Sequence, residues 1–156
     1  MSDSTTTQPR PFRRFADGGA VGDVIPFYDA GSYHLFCLAT PPGAVESTAR
    51  MRTSWRHLQS TDLVSWQELP TALSPGGPDE PDHDGVWTGS VVNADGRYHV
   101  FYTGHAAGAA VPQTICHATS DDLVSFEKDR RNPILRPDSA IFGQTDWRDP
   151  FVFWND

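Results

Sequence analysis

Long apolar runs are missing from this chain. No segment approaches the ~20 residues a helix needs to cross a bilayer, so no membrane-spanning helix and no membrane partner are expected. Basic residues are scarce too: 12 Lys and Arg against 20 Asp and Glu leave a formal net charge of -8. Without a basic run to displace phosphate counterions, a nucleic-acid partner is not expected either. Cysteine is reduced to Cys37 and Cys116, each inside an apolar stretch. They lack the close spacing of a zinc or redox motif, so two buried free thiols are expected. The N-terminus carries Arg13-Arg14 but lacks the apolar stretch a secretory signal requires. Residues 1–14 therefore read as a polar, disordered tail, and a cytoplasmic location is expected.

Nor does any segment show a sustained 3.6-residue apolar period. What the chain has instead is 13 Gly and 13 Pro spread along its length, punctuating short apolar runs. This is an all-β pattern. Strands are expected at Val24–Tyr28, Tyr33–Ala39, Arg52–Ser60, Val86–Val92, Tyr98–Thr103, Thr114–Ser120 and Asp149–Trp154. Asp29-Ala30-Gly31-Ser32 and Asn93-Ala94-Asp95-Gly96 read as tight hairpin turns. The acidic run Asp79-Glu80-Pro81-Asp82-His83-Asp84 reads as an exposed, extended loop. A hard cation needs oxygens that converge, which a run of charges does not supply by itself, so neither metal nor cofactor is expected.

An internal repeat sets the architecture. Ser60-Thr61-Asp62-Leu63-Val64-Ser65-Trp66 returns sixty residues later as Ser120-Asp121-Asp122-Leu123-Val124-Ser125-Phe126, and Tyr33-His34-Leu35-Phe36 returns as Tyr98-His99-Val100-Phe101. Four-strand repeats near this period are propeller blades. In each copy the Asp is expected to tie down the turn, while Leu and the aromatic ring fill the space between neighbouring sheets. The chain holds about two and a half such units. The terminal Trp147-Arg148-Asp149-Pro150-Phe151-Val152-Phe153-Trp154 then reads as the innermost strand of a third blade.

Innermost strands line a propeller's channel, so polar residues at their starts converge. Those starts are Gly22-Asp23-Val24-Ile25-Pro26, Asp84-Gly85-Val86-Trp87-Thr88-Gly89-Ser90 and Arg148-Asp149-Pro150. With Trp55-Arg56-His57-Leu58 and Leu69-Pro70-Thr71-Ala72-Leu73, the latter two elements resemble the N-terminal half of the five-bladed β-propeller of glycoside hydrolase family 32, over roughly residues 20 to 156. The resemblance implies a retaining β-fructofuranosidase acting on sucrose, levan or inulin-type fructans. It implies Asp23 as nucleophile and Asp149 as the carboxylate that stabilises the transition state, with Arg148 beside it. Trp87, Thr88 and Ser90 would line the sugar subsite, and His57, on a strand next to Trp55, is a further candidate for the channel wall.

The chain departs from the family's "W-x-N-D-P-N-G" around Asp23, where it reads Val21-Gly22-Asp23-Val24-Ile25-Pro26. That wording is closer to the related family 43, which leaves an arabinofuranosidase or xylosidase as one alternative and a non-catalytic carbohydrate-binding propeller as another. The acid/base glutamate of such an enzyme would follow Arg-Asp-Pro in the next blade, beyond residue 156. Residues 15–156 are thus expected to be the N-terminal part of a propeller domain, inactive alone.

Overall fold

The computed structural model describes residues 15, 17–143 and 145–155. They form two four-stranded antiparallel sheets, each a simple meander in which every strand pairs with the next. The first contains β1 (Val21–Asp29), β2 (Ser32–Ala39), β3 (Ser54–Ser60) and β4 (Gln67–Leu73). The second contains β5 (Gly85–Ala94), β6 (Arg97–His105), β7 (Gln113–Ser120) and the two-residue β8 (Glu127–Lys128). A short helix, α1 (Ser47–Met51), interrupts the connection from β2 to β3.

Local chemistry explains the hairpins. Ala30 and Gly31, and again Asp95 and Gly96, have positive φ at both central positions, the conformation whose twist matches that of two-residue antiparallel hairpins. The repeated element closes β3 to β4 and β7 to β8. Asp62 Oδ1 accepts the N–H groups of Val64 and Ser65 at 2.8 and 2.7 Å, and Asp122 Oδ1 does the same for Val124 and Ser125. Those donors hold the Asp62 carboxyl down at about 2.

The core lies between the sheets. Phe36 and Trp55 from the first meet Val86, Val100, Tyr102, Cys116 and Ala118 from the second. Burying aromatic side chains of this size contributes roughly 2–3 kcal/mol each. Leu123 is buried in this cluster, and Phe126 meets Phe36 edge-on at 5.7 Å, so the turn of the second sheet plugs the first. The equivalent Leu63 is 55% exposed. A smaller cluster of Phe15, Cys37, Ala39 and Leu58 covers the other face of the first sheet, with the Arg56 guanidinium 4.2 Å above the Phe15 ring and paired with Asp17 and Glu68. Both cysteines are buried free thiols, and desolvation pushes Cys116 up to about 12.

Three strand assignments need correction. Gln67–Leu73 is a strand although it contains Pro70, an arrangement a sheet's edge strand allows because one side of its backbone is unpaired. Arg52 and Thr53 lie outside β3, which starts at Ser54. Asp149–Trp154 pairs with no strand among the described residues. A ladder needs a neighbouring backbone, and here this segment meets side-chain hydroxyls instead.

The expected polar tail at residues 1–14 lies outside the described residues. Among those described, no helix is long and apolar enough to cross a membrane.

Candidate active site

The first strands of the two sheets, β1 and β5, pack beside each other, and each carries a bulge at the same end. Val21 faces Ala39 and Val24 faces Cys37, so Gly22 and Asp23 share the space opposite Leu38. Trp87 faces Thr103 and Gly89 faces Tyr102, leaving Thr88 as the extra residue. A bulge bends its strand and re-aims the side chain it displaces. Here the two displaced side chains meet: Thr88 Oγ1 donates to Asp23 Oδ2 at 2.5 Å across the seam between the sheets. Gly89 permits the second bulge, since a Cβ there would lie 2.0 Å from the Phe101 carbonyl oxygen.

Trp87 is held on several sides. Its indole N–H donates to the Met51 carbonyl at 2.9 Å, its own carbonyl accepts the Trp55 indole N–H at 3.0 Å, and its ring stacks on His105 at 4.1 Å.

The terminal segment arrives as an irregular strap. Ser90 Oγ donates to the Pro150 carbonyl and accepts the Val152 N–H, both at 3.0 Å, so a single hydroxyl takes the place of a ladder rung. Asp149 has φ 61°, a left-handed conformation that Asp tolerates better than most residues but that costs of order 1 kcal/mol. Arg148 bonds to Asp146 and lies 3.7 Å from the Asp149 carboxylate and 3.5 Å from Gln113 Oε1.

Asp23, Trp87, Thr88, Arg148 and Asp149, with Leu38, Met51 and Thr53, line one open cavity of about 330 Å³. Partial burial holds the Asp149 carboxyl above the ordinary Asp value. The Arg148 charge opposes that shift, and the Asp23 charge adds to it. The Asp149 carboxylate therefore feels the Asp23 charge through this space, tempered by the Arg148 guanidinium. Such a cavity can grip polyhydroxylated rings and accommodate positive charge developing on one of them.

Two candidates do not join it. Ser90 is 4% exposed and engaged by the strap's backbone, so it positions that segment and does not line the cavity. His57 is fully buried, stacked on Phe36 at 4.3 Å with its Nε2 2.8 Å from His34 Nδ1. Strand alternation says which residues share a face, not whether that face looks into the channel or toward the next sheet. Leu38, Met51 and Thr53 were not singled out from sequence. Met51 lies on the short helix, which carries no amphipathic signal.

The acidic loop is engaged structurally. Asp82 accepts the Tyr102 hydroxyl and the Gly76 N–H and pairs with Lys128 at 2.6 Å, while Asp84 accepts the Ala107 N–H.

Two blade-like sheets and an unpaired strap thus bring two carboxylates, an arginine and an indole to one cavity. The Glycosyl hydrolases family 32 N-terminal domain matches residues 25–156, and the chain belongs to glycosyl hydrolase family 32. Its two sheets are two blades of that family's five-bladed β-propeller. The chain is 40% identical over 131 residues to "Beta-fructofuranosidase 1" of Zea mays, covering 80% of this chain and 18% of that protein. It is 35% identical over 135 residues to "Raffinose invertase" of Escherichia coli, covering 83% and 26% respectively. Among solved structures, the β-fructofuranosidase of Schwanniomyces occidentalis complexed with fructosyl-erythritol superposes with a TM-score of 0.70 at 27% identity, over 94% of this chain and 30% of that one. The chain thus spans about a fifth to a quarter of the length of the curated relatives cited. The family match begins two residues after Asp23, so the case for Asp23 rests on the geometry above.

Proposed function

We propose that these residues form the sugar-binding half of a retaining β-fructofuranosidase site acting on sucrose or fructans. The observation that carries this reading is the convergence of Asp23 and Asp149 with Arg148, Trp87 and Thr88 on one cavity.

Asp23 attacks the anomeric carbon of the fructosyl unit and forms a covalent ester while the glycosidic oxygen leaves with a proton. Water then takes that proton donor's help in reverse, cleaves the ester and regenerates the carboxylate. Thr88 holds Asp23 through a charge-assisted hydrogen bond that steadies it for attack. Asp149 accepts hydrogen bonds from ring hydroxyls as positive charge grows on the ring, and Arg148 favours its ionised form. Trp87 offers an apolar face to the ring's C–H groups.

Double displacement also needs a second carboxyl group, about 5–5.5 Å from the nucleophile, as acid and base. No glutamate lines the cavity among the described residues. We assign that role to the part of the fold that the relatives have and this chain does not span. Residues 1–156 expressed alone should release no fructose from sucrose.

The test is fructose release from sucrose and levan by the protein at its natural full length, beside Asp23→Asn. Release that vanishes in the variant supports the assignment. Release unaffected by Asp23→Asn, or none at all from a correctly folded protein, would overturn it in favour of a sugar-binding role.

A further inference from the structure

Behind the cavity runs β6, and one of its residues touches both halves of the site without entering it. Thr103 is fully buried. Its Oγ1 accepts the Asp149 N–H at 2.8 Å and donates to the Thr88 carbonyl at 3.2 Å. The hydroxyl therefore bridges the bulged strand that presents Thr88 and the strap that presents Asp149.

The bridge meets the strap at a strained point. Asp149 has φ 61°, and the strap has no strand pairing among the described residues to hold it there. Side-chain oxygens supply that restraint: Thr103 at Asp149, and Ser90 at Pro150 and Val152. Of these, only the Thr103 contact falls on the residue whose carboxylate enters the cavity. A backbone amide fixed at one end of a residue and a proline fixed at the other leave few orientations for the side chain between them.

We propose that Thr103 is a positioning residue for the glycosidic reaction: its hydroxyl holds Asp149 in the left-handed conformation that aims the carboxylate into the cavity, and couples that aim to the bulge carrying Thr88. This rests on the function proposed above, in which Asp149 meets the sugar. A methyl group in place of the hydroxyl would leave the Asp149 N–H and the Thr88 carbonyl without their shared partner at a partly buried point, where losing a hydrogen bond is costly. The strap would relax toward an ordinary backbone conformation and carry the carboxylate with it. Misplacing a reacting group by about an ångström costs on the order of 100-fold in rate.

Thr103→Val keeps the side chain's shape and removes the hydroxyl, and Thr103→Ser keeps the hydroxyl and removes the methyl. Both are made in the protein at its natural full length, and two readings are taken: a crystal structure for the Asp149 φ, and kcat and KM for sucrose across pH. The expectation for valine is loss of the positive φ and a 10- to 100-fold drop in kcat/KM. The acid limb of the rate profile should also move to lower pH as Asp149, flanked by Arg148 and Asp23, gains solvent. Serine should retain both conformation and rate.

If the valine variant does not fold, Thr103→Ala, which lacks the hydroxyl without adding bulk, is read the same way. Asp149 remaining at positive φ in the hydroxyl-free variant, or a changed φ with an unchanged rate, would overturn the proposal. Should the wild-type protein release no fructose, or release it independently of Asp149, the function fails. The crystal structures then still decide whether Thr103 sets the strap.

Discussion

Thr88 Oγ1 and Asp23 Oδ2 meet 2.5 Å apart although they belong to different sheets. The site is therefore assembled across a seam, and each of the two residues is aimed by a bulge in its own strand. A hydrogen bond to a charged acceptor contributes about 1.5–3 kcal/mol, or roughly a 10- to 100-fold effect if it is fully used in the reaction. Thr88→Val should lower kcat/KM for sucrose by about 10-fold, since Asp23 is open to solvent that can partly replace the lost donor. Thr88→Ser should restore the rate. An unchanged kcat/KM in the valine variant would mean that this hydrogen bond plays no part in turnover.

Trp87 lies face to face with His105 at 4.1 Å. Aromatic pairs contribute about 0.5–1.5 kcal/mol beyond the area they bury. His105→Ala should therefore free the indole and weaken sugar binding by up to about 10-fold, measured by the change in intrinsic fluorescence on titration. His105→Phe keeps a stacked ring and should bind as the wild type does.

Gly89 tests the bulge itself. Alanine there would bring its Cβ 2.0 Å from the Phe101 oxygen and 2.7 Å from Tyr102 Cα, and backbone atoms of a paired strand cannot step aside as a flexible side chain does. Overpacking of this kind costs typically 1–3 kcal/mol, and the rigidity of the neighbours puts Gly89→Ala at the upper end. The urea midpoint should fall accordingly, with residual activity lost in step with any change at Thr88.

His57 links the fold to pH. Burial first, and the neighbouring His34 second, lower its pKa to about 4 from an ordinary value near 6.5. The unfolded chain thus takes up a proton at His57 before the folded one does. The associated stability is complete above about pH 6.5 and is lost progressively as pH falls toward 4, amounting to a few kcal/mol. Urea midpoints recorded between pH 7.5 and 4 should decline through this window, and His57→Phe should flatten the decline. An equally steep decline in that variant would assign the acid sensitivity elsewhere.

Much of this architecture was legible because its signals are local. Alternating apolar residues, the two turns carrying Gly31 and Gly96, and each copy of the Ser-x-Asp-Leu-Val-Ser turn follow from chemistry within a few positions. The grouping of Asp23, Trp87 and Thr88 accords with their places near the starts of β1 and β5, whereas Arg148 and Asp149 reach the same cavity on an unpaired strap. What escaped the sequence depended on partners distant in the chain. Ser90 and His57 sit on the expected strands, yet the face each presents is decided by which sheet lies against it. Asp149–Trp154 has the composition of a strand, but strand formation depends on a neighbour, and its backbone found Ser90 and Thr103 hydroxyls. Thr103 itself looked like an ordinary β-branched strand residue, because nothing within several positions of it hints at the strap it meets.

The repeated turn has one more consequence. Leu123 is 3% exposed and Leu63 is 55% exposed, although both occupy the same place in the same element. The second blade inserts its turn into the first, so that contact has a head and a tail. Contacts of that kind close into a ring when the rotation allows, and otherwise run on as an open stack. Light scattering of residues 1–156 at rising concentration should then show self-association, weakened when Leu63 is replaced by a charged residue.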